Sequence, residues 1–125
     1  MSQKQPIKTD KAAPPIGPYN QGVRWDRLVF TSSVGTSNPQ FGDPADVKEA
    51  ARNALENLKA ILEEGGSGLA HLLKMTLYIR SMDDFAAINE VYAQYVPDPK
   101  PVRSLVVVQG ARGPVSFDAI AYVPD

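Results

Sequence analysis

Apolar residues from Ala45 to Glu64 recur every three or four positions. Val47, Ala50, Ala51, Ala54, Leu55, Leu58, Ile61 and Leu62 therefore form one buried stripe on a helix whose other side is solvated. Gly65-Gly66 follows and stops that helix, as glycine just past a helix end does. The period then changes to two. From Leu72 to Ile79, Met75, Leu77 and Ile79 share one face and Lys74, Thr76 and Tyr78 the other, which predicts a strand. Ser81-Met82-Asp83-Asp84 caps a second helix with Phe85, Ile88, Val91 and Tyr92 as its stripe and Pro97 beyond its end. Gln21 to Trp25 and Leu28 to Ser32 are short β-type runs, and the two residues Asp26-Arg27 between them fit a hairpin. Leu105 to Val108 and Val115 to Val123 complete the strands, separated by a turn from Gln109 to Pro114.

The order ββ, helix, β, helix, ββ predicts one α+β domain over residues 1–125, with two helices on one face of a mixed or antiparallel sheet. The proline- and glycine-rich stretch Lys11 to Tyr19 reads as an ordered surface turn, and Thr36 to Pro44 as a polar loop. Nothing in the chain is left to cover the second sheet face. Because Leu105 to Val108 is apolar at every position, the pattern of a strand buried on both sides, another subunit is the expected cover.

Composition narrows the function classes. Hydrophobic residues make up 43% and charged residues 22%, values that point to a folded globular chain. The formal net charge is −1 and the basic residues form no stripe, so nucleic acid is not an expected partner. No apolar run is long enough to span a membrane and Met1 to Pro6 lacks the apolar core of a signal peptide, so the expected location is cytoplasmic. With no cysteine and one histidine, His71, there is no thiol nucleophile and no metal centre to build, and His71 reads as a packing or surface residue.

Arg103, in Pro101-Val102-Arg103-Ser104, is placed by the pattern at the mouth of the apolar strand. A permanent, planar, forked cation there suits a carboxylate, which it grips through two parallel hydrogen bonds; the plainer reading is a strand-end arginine that reaches solvent or pairs with Asp98.

Three segments in order resemble the reactive-intermediate deaminase (Rid) family, the YjgF-like proteins. They are Ala13-Pro14-Pro15-Ile16-Gly17-Pro18-Tyr19-Asn20-Gln21-Gly22-Val23, Asp84-Phe85-Ala86-Ala87-Ile88-Asn89-Glu90-Val91-Tyr92 and Pro101-Val102-Arg103-Ser104. Ala54 to Leu62 is similar to the family's first helix, so the resemblance covers nearly the whole chain. It implies a chorismate-mutase-like fold assembled as a homotrimer, with sheets packed into a central barrel and sites at the subunit interfaces. The implied chemistry is hydrolysis of an enamine or imine bearing a carboxylate, such as 2-aminoacrylate or 2-iminopropanoate, to a 2-oxo acid and ammonia without metal or cofactor. It implies that Arg103 holds the substrate carboxylate, that Tyr19 lines the pocket, and that Asn89 and Ser32 match a helix asparagine and the serine of a Ser-Gly-Gln segment. On residue type alone, Tyr19 is equally a half-buried aromatic, Asn89 a helix-surface amide and Ser32 a structural strand residue.

The chain also departs from the family pattern. Where relatives carry Val-Glu-Ile-Glu-Ala-Ile-Ala, this strand reads Val115-Ser116-Phe117-Asp118-Ala119-Ile120-Ala121, so Ser116 stands in place of the glutamate that positions the attacking water. Asp118 lies on the same strand face, roughly 7 Å away, and is the candidate to substitute for it through a second water; a serine–water site that takes no proton is the alternative. Ser33 replaces the family glycine whose backbone N–H approaches the carboxylate, and Leu105 replaces a common cysteine. These changes admit a substrate larger or more apolar than 2-iminopropanoate, or a non-catalytic member that binds small carboxylates such as 2-oxo acids.

Overall fold

The alternation along Leu72–Ile79 is realised as a central strand. In the computed structural model, which describes residues 3–125, Leu72, Met75, Leu77 and Ile79 are buried while Lys74, Thr76 and Tyr78 turn the other way. Chain order gives β1 (Gln5–Ile7), β2 (Gly22–Trp25), β3 (Leu28–Thr31), α1 (Val47–Glu64), β4 (Leu72–Ile79), α2 (Phe85–Tyr95), β5 (Val102–Val107) and β6 (Val115–Tyr122). They form one six-stranded sheet in the order β1-β2-β3-β6-β4-β5. Its pairs are antiparallel except β4 and β5, whose parallel pairing requires a crossover, and α2 supplies it.

Both helices cover the same face. Leu55, Leu58, Ile61 and Leu62 of α1 and Ile88, Val91 and Tyr92 of α2 join Val29, Met75, Leu77, Ile79, Phe117, Ala119 and Ala121 of the sheet in one core. A fully buried leucine or isoleucine contributes about 1.5–3 kcal/mol, so the α1 stripe does much of the holding. α1 starts at Val47, two residues later than the start expected from the apolar pattern, and Asp46 caps it by accepting from Glu49 N–H. At the other end Gly66 N–H bonds Glu63 C=O and Ser67 N–H bonds Leu62 C=O, with Gly66 at φ 88°, a left-handed position that favours glycine. The β2–β3 hairpin turns through Asp26-Arg27, with Trp25 paired to Leu28.

Two elements differ from the sequence expectation. β1 was not foreseen: Gln5-Pro6-Ile7 is too short to show a period, and its proline is tolerated because β1 is an edge strand. β5 begins at Val102, so Arg103 lies inside a strand and not at its mouth; parallel pairing of Arg103 with Met75 extends the strand beyond its apolar run. Every residue of β5 is exposed in the single chain, because β5 is the other sheet edge and neither helix covers it. The open face carries Phe30, Ile120, Tyr122 and Val106, the first, third and fourth of them more than a third exposed, so the surface that the sequence leaves without a cover is present.

Candidate functional site

A cleft of about 500 Å³ opens where the N-terminal turn, the segment after β3 and the start of β6 meet. Tyr19, Ser32, Ser33 and Ser116 line it, joined by Tyr78 from β4 and Arg112 from the turn before β6. A β-bulge aims the serines. Phe30 pairs with Ile120 but Val34 bridges to Phe117, which leaves one extra residue in the Thr31–Ser33 segment, and the Thr31 hydroxyl takes the Ala119 N–H that the ladder would otherwise satisfy. Ser33 Oγ thereby donates to Ser116 Oγ at 2.9 Å, while Ser32 Oγ donates to the Gln21 carbonyl at 3.1 Å. The Tyr19 hydroxyl accepts from Ile16 N–H at 3.2 Å, which leaves its own proton to donate into the cleft.

One buried amide holds two of the walls. Asn57, on the core side of α1, donates to the carbonyls of Gly35 and Ser37 at 3.0 and 2.7 Å and accepts from Ala13 N–H and Asn38 Nδ2 at 3.2 and 2.8 Å. All four hydrogen-bonding positions of the amide are used. Asn53, one turn earlier, fixes the Thr36 and Gly42 carbonyls in the same way. The third wall closes against the second because a Cβ on Gly113 would stand 2.9 Å from Thr36 Oγ1.

No Asp or Glu is among the described residues that line the cleft. Asp118 is outside that lining but on the same face of β6 as Ser116, and accepts a hydrogen bond from the Tyr78 hydroxyl at 2.7 Å. That bond, with burial and the carboxylate's charge adding to it, raises the Tyr78 pKa above its ordinary value, so the phenol keeps its proton.

Arg103 is elsewhere. It points to the helix side of β5, where its Nη1 donates to Asn89 Oδ1 of α2 at 2.8 Å and its guanidinium carbon lies 4.8 Å from the Tyr92 ring centre and 5.7 Å from that of Phe85. Burial raises the Tyr92 pKa, with Arg103 opposing, so Tyr92 is a neutral shelf. No carboxylate among the described residues lies within ion-pair distance of Arg103, and Asp98 is met by Lys100. The cation is therefore oriented by Asn89 and its aromatic shelf, yet its charge is not neutralised.

The Endoribonuclease L-PSP family profile matches residues 9–123. The chain belongs to that family. It is 45% identical over 109 residues to TdcF of Escherichia coli K12, provisionally named a reactive intermediate deaminase, with 84% of each chain covered. A RutC family protein of Pyrococcus abyssi is 39% identical over 125 residues, covering 95% of this chain and 97% of its own. Among solved structures, Escherichia coli TdcF with bound serine superposes with a TM-score of 0.87 at 40% identity, covering 94% of this chain and 98% of that one. RidA from an Antarctic Psychrobacter species gives 0.90 at 32%, covering 95% and 99%. These relatives include the Rid proteins that the sequence motifs resemble.

Against the candidates named from sequence, the structure gathers Tyr19, Ser32, Ser33 and Ser116 in the cleft and leaves Asp118 outside its lining, bonded to Tyr78. It gathers Arg103 and Asn89 with each other, and Leu105 two residues along the same exposed strand, but not with the cleft. Tyr78, Arg112 and Asn57 were missed. Asn53 and Asn57 had a visible signal, amides four residues apart within an otherwise apolar helical stripe; Tyr78 had only its alternation to the open face. His71 stays on the surface beside Tyr122, and among the described residues no three His, Asp or Glu side chains converge as metal ligands. No helix among the described residues is long and apolar enough to cross a membrane.

Proposed function

We propose that this chain hydrolyses a reactive enamine or imine that bears a carboxylate, releasing a 2-oxo acid and ammonia, at a site shared between subunits of a homotrimer. The observation that carries this reading is the separation of two half-sites. Arg103 is paired with Met75 on the helix side of the sheet, whereas Ser116 is paired with Tyr78 on the open face. Met75 and Tyr78 are three residues apart on β4, about 10 Å, so within one chain a substrate of a few carbons cannot touch both. A second copy laid along the exposed edge strand β5 joins the Arg103 of one subunit to the cleft of its neighbour and covers the exposed apolar residues Val102, Val106 and Val107.

In that arrangement Arg103 holds the carboxylate with the part of its fork that Asn89 leaves free. The imine carbon is electrophilic once its nitrogen is protonated, so the protein needs chiefly to fix the substrate and a water in line. Bound serine in the solved TdcF structure, an amino acid with its carboxylate beside the nitrogen-bearing carbon, supports this ligand class. Ile16, Val34, Ala111 and Val115 give the cleft apolar wall beyond the serines, which supports a side chain longer than that of 2-iminopropanoate.

A second reading, a non-catalytic binder of 2-oxo acids, is favoured by the lack of a carboxylate in the cleft wall. One assay separates them. Imines are generated in place by an amino-acid oxidase from a panel of amino acids, and the rate of 2-oxo acid release is followed with and without the protein. Acceleration is expected; pyruvate binding without acceleration for any amino acid establishes the binder instead.

A further inference from the structure

The cleft lacks a carboxylate of its own, but one of its wall residues is bonded to one. Among the described residues, Asp118 is the only carboxylate hydrogen-bonded to a side chain that lines the cleft, and that side chain is Tyr78. Tyr78 is directly opposite Ser116 across the β4–β6 pair, on the open face, and the Ser116 hydroxyl is itself held by Ser33. Three hydroxyls, from Ser33, Ser116 and Tyr78, thus edge one stretch of wall, and only the last has a proton acceptor behind it.

We propose that Tyr78 and Asp118 together do the proton work of the hydrolysis, with the Tyr78 hydroxyl facing the attacking water and Asp118 as the reservoir behind it. This rests on the hydrolase reading. As the water oxygen bonds to the imine carbon, the C=N electron pair moves to the already protonated nitrogen. One water proton passes to the Tyr78 oxygen while the Tyr78 proton passes to Asp118, giving a neutral carbinolamine. The same path run backwards protonates the amine; the C–N bond breaks, the carbinol oxygen forms the carbonyl, and the carbinol proton leaves with the nitrogen as ammonium. No oxidant, metal or further reactant enters the balance. Tyrosine suits the outer position because it gives up and takes a proton at one oxygen, so it never needs to rest as phenolate beside a carboxylate, a state that the Asp118 charge disfavours. Ser116, at the position of the missing glutamate, is left to orient the water.

The test uses the full-length protein and the oxidase-coupled assay with wild type, Tyr78→Phe, Asp118→Asn and the double variant. Phenylalanine keeps the ring and the packing. Asparagine still accepts from Tyr78 but takes no proton. The expected result is a fall in kcat of about 10²-fold in each single variant, with KM and pyruvate binding unchanged, and a double variant no slower than either, since two parts of one relay fail as a unit. Unchanged kcat in Tyr78→Phe, or effects that multiply in the double variant, overturn the relay while leaving the hydrolase reading intact. Loss in Tyr78→Phe alone also overturns it, because Asp118 is then not the reservoir. A wild type that accelerates no imine overturns the hydrolase reading and the relay with it, an outcome distinguishable before any variant is made.

Discussion

The cleft and the β5 edge solve opposite problems with opposite materials. The cleft is concave and walled largely by neutral residues, and it is held from behind by buried amides that fix backbone carbonyls of the Gly35–Gly42 loop and the Ala13 N–H. The edge is exposed, its cation held by one amide and two rings of α2 on a strand whose residues are otherwise open to solvent. The hydroxyl wall orients water, with Arg112 on the turn before β6 as the one cation among the described lining residues; the open cation of the edge attracts anions but in bulk water grips them weakly, because solvent screens the pair. In the proposed arrangement each half gains most from the other, since desolvation by the partner surface is what would turn Arg103 into a carboxylate site.

Separating the halves should have the largest effect. Val106 lies on the open face of β5 and is 41% exposed in the single chain, so Val106→Asp places a charge in the surface proposed to be covered. Light scattering at micromolar concentration is expected to show a trimer for the wild type and smaller species for the variant, with turnover lost and helical content kept. A monodisperse wild-type monomer would defeat the shared site.

The next effect falls on the cleft alone. Asn57→Ala removes four hydrogen bonds from a fully buried position and leaves carbonyls and an N–H that must find water or go unpaired. At about 1–3 kcal/mol for a buried group left unsatisfied, and with partial relaxation of the loops, a loss of about 2–4 kcal/mol is expected in urea unfolding. A loss under about 0.5 kcal/mol would mean that the walls hold themselves.

Arg103→Lys touches only the edge. It keeps the charge but not the fork, so one point donor must serve both Asn89 and the carboxylate. Calorimetric titration with pyruvate or 2-oxobutyrate should show about 1.5–3 kcal/mol of lost affinity, with the fold unchanged. Equal affinity would make Arg103 a surface cation resting on Tyr92.

The two halves were not equally legible. The motif around Arg103 was readable because a forked cation ahead of an apolar run is chemically odd, and the family resemblance singled out Asn89, though not its bond to Arg103. Its position was not, since the parallel register that draws Val102 and Arg103 into β5 is set by pairing with Lys74 and Met75 of β4, 28 residues earlier, and leaves no local period. α1 was legible because eight apolar positions and a Gly-Gly stop agree, whereas β1 has three residues and takes its place only from pairing with β2. In the cleft, Tyr19 and the serines came from motif, but Tyr78 matters only because β4 and β6 are neighbours, and that adjacency of strands some forty residues apart is a tertiary fact.

The smallest expected effect is the most pointed. Ser116→Glu places a carboxylate at the position where the family resemblance implies one, and a newly positioned base contributes about 10²–10⁴-fold where none exists. Here it should change kcat by no more than about tenfold. If Tyr78 and Asp118 already handle the proton, a second carboxylate on the same face of β6 adds no missing function. It also displaces the Ser33–Ser116 bond and sets like charges near each other on one strand face, which offsets part of what the new carboxylate adds. Measuring oxo-acid release for Ser116→Glu in both the wild-type and the Asp118→Asn backgrounds sharpens the contrast. A small effect alone, together with a large rescue in Asp118→Asn, means that the two carboxylates are interchangeable sources of one function. A gain of about 10²-fold in the wild-type background would show that the native cleft runs without a base, and that the hydroxyls of Ser33 and Ser116 only hold the water in place.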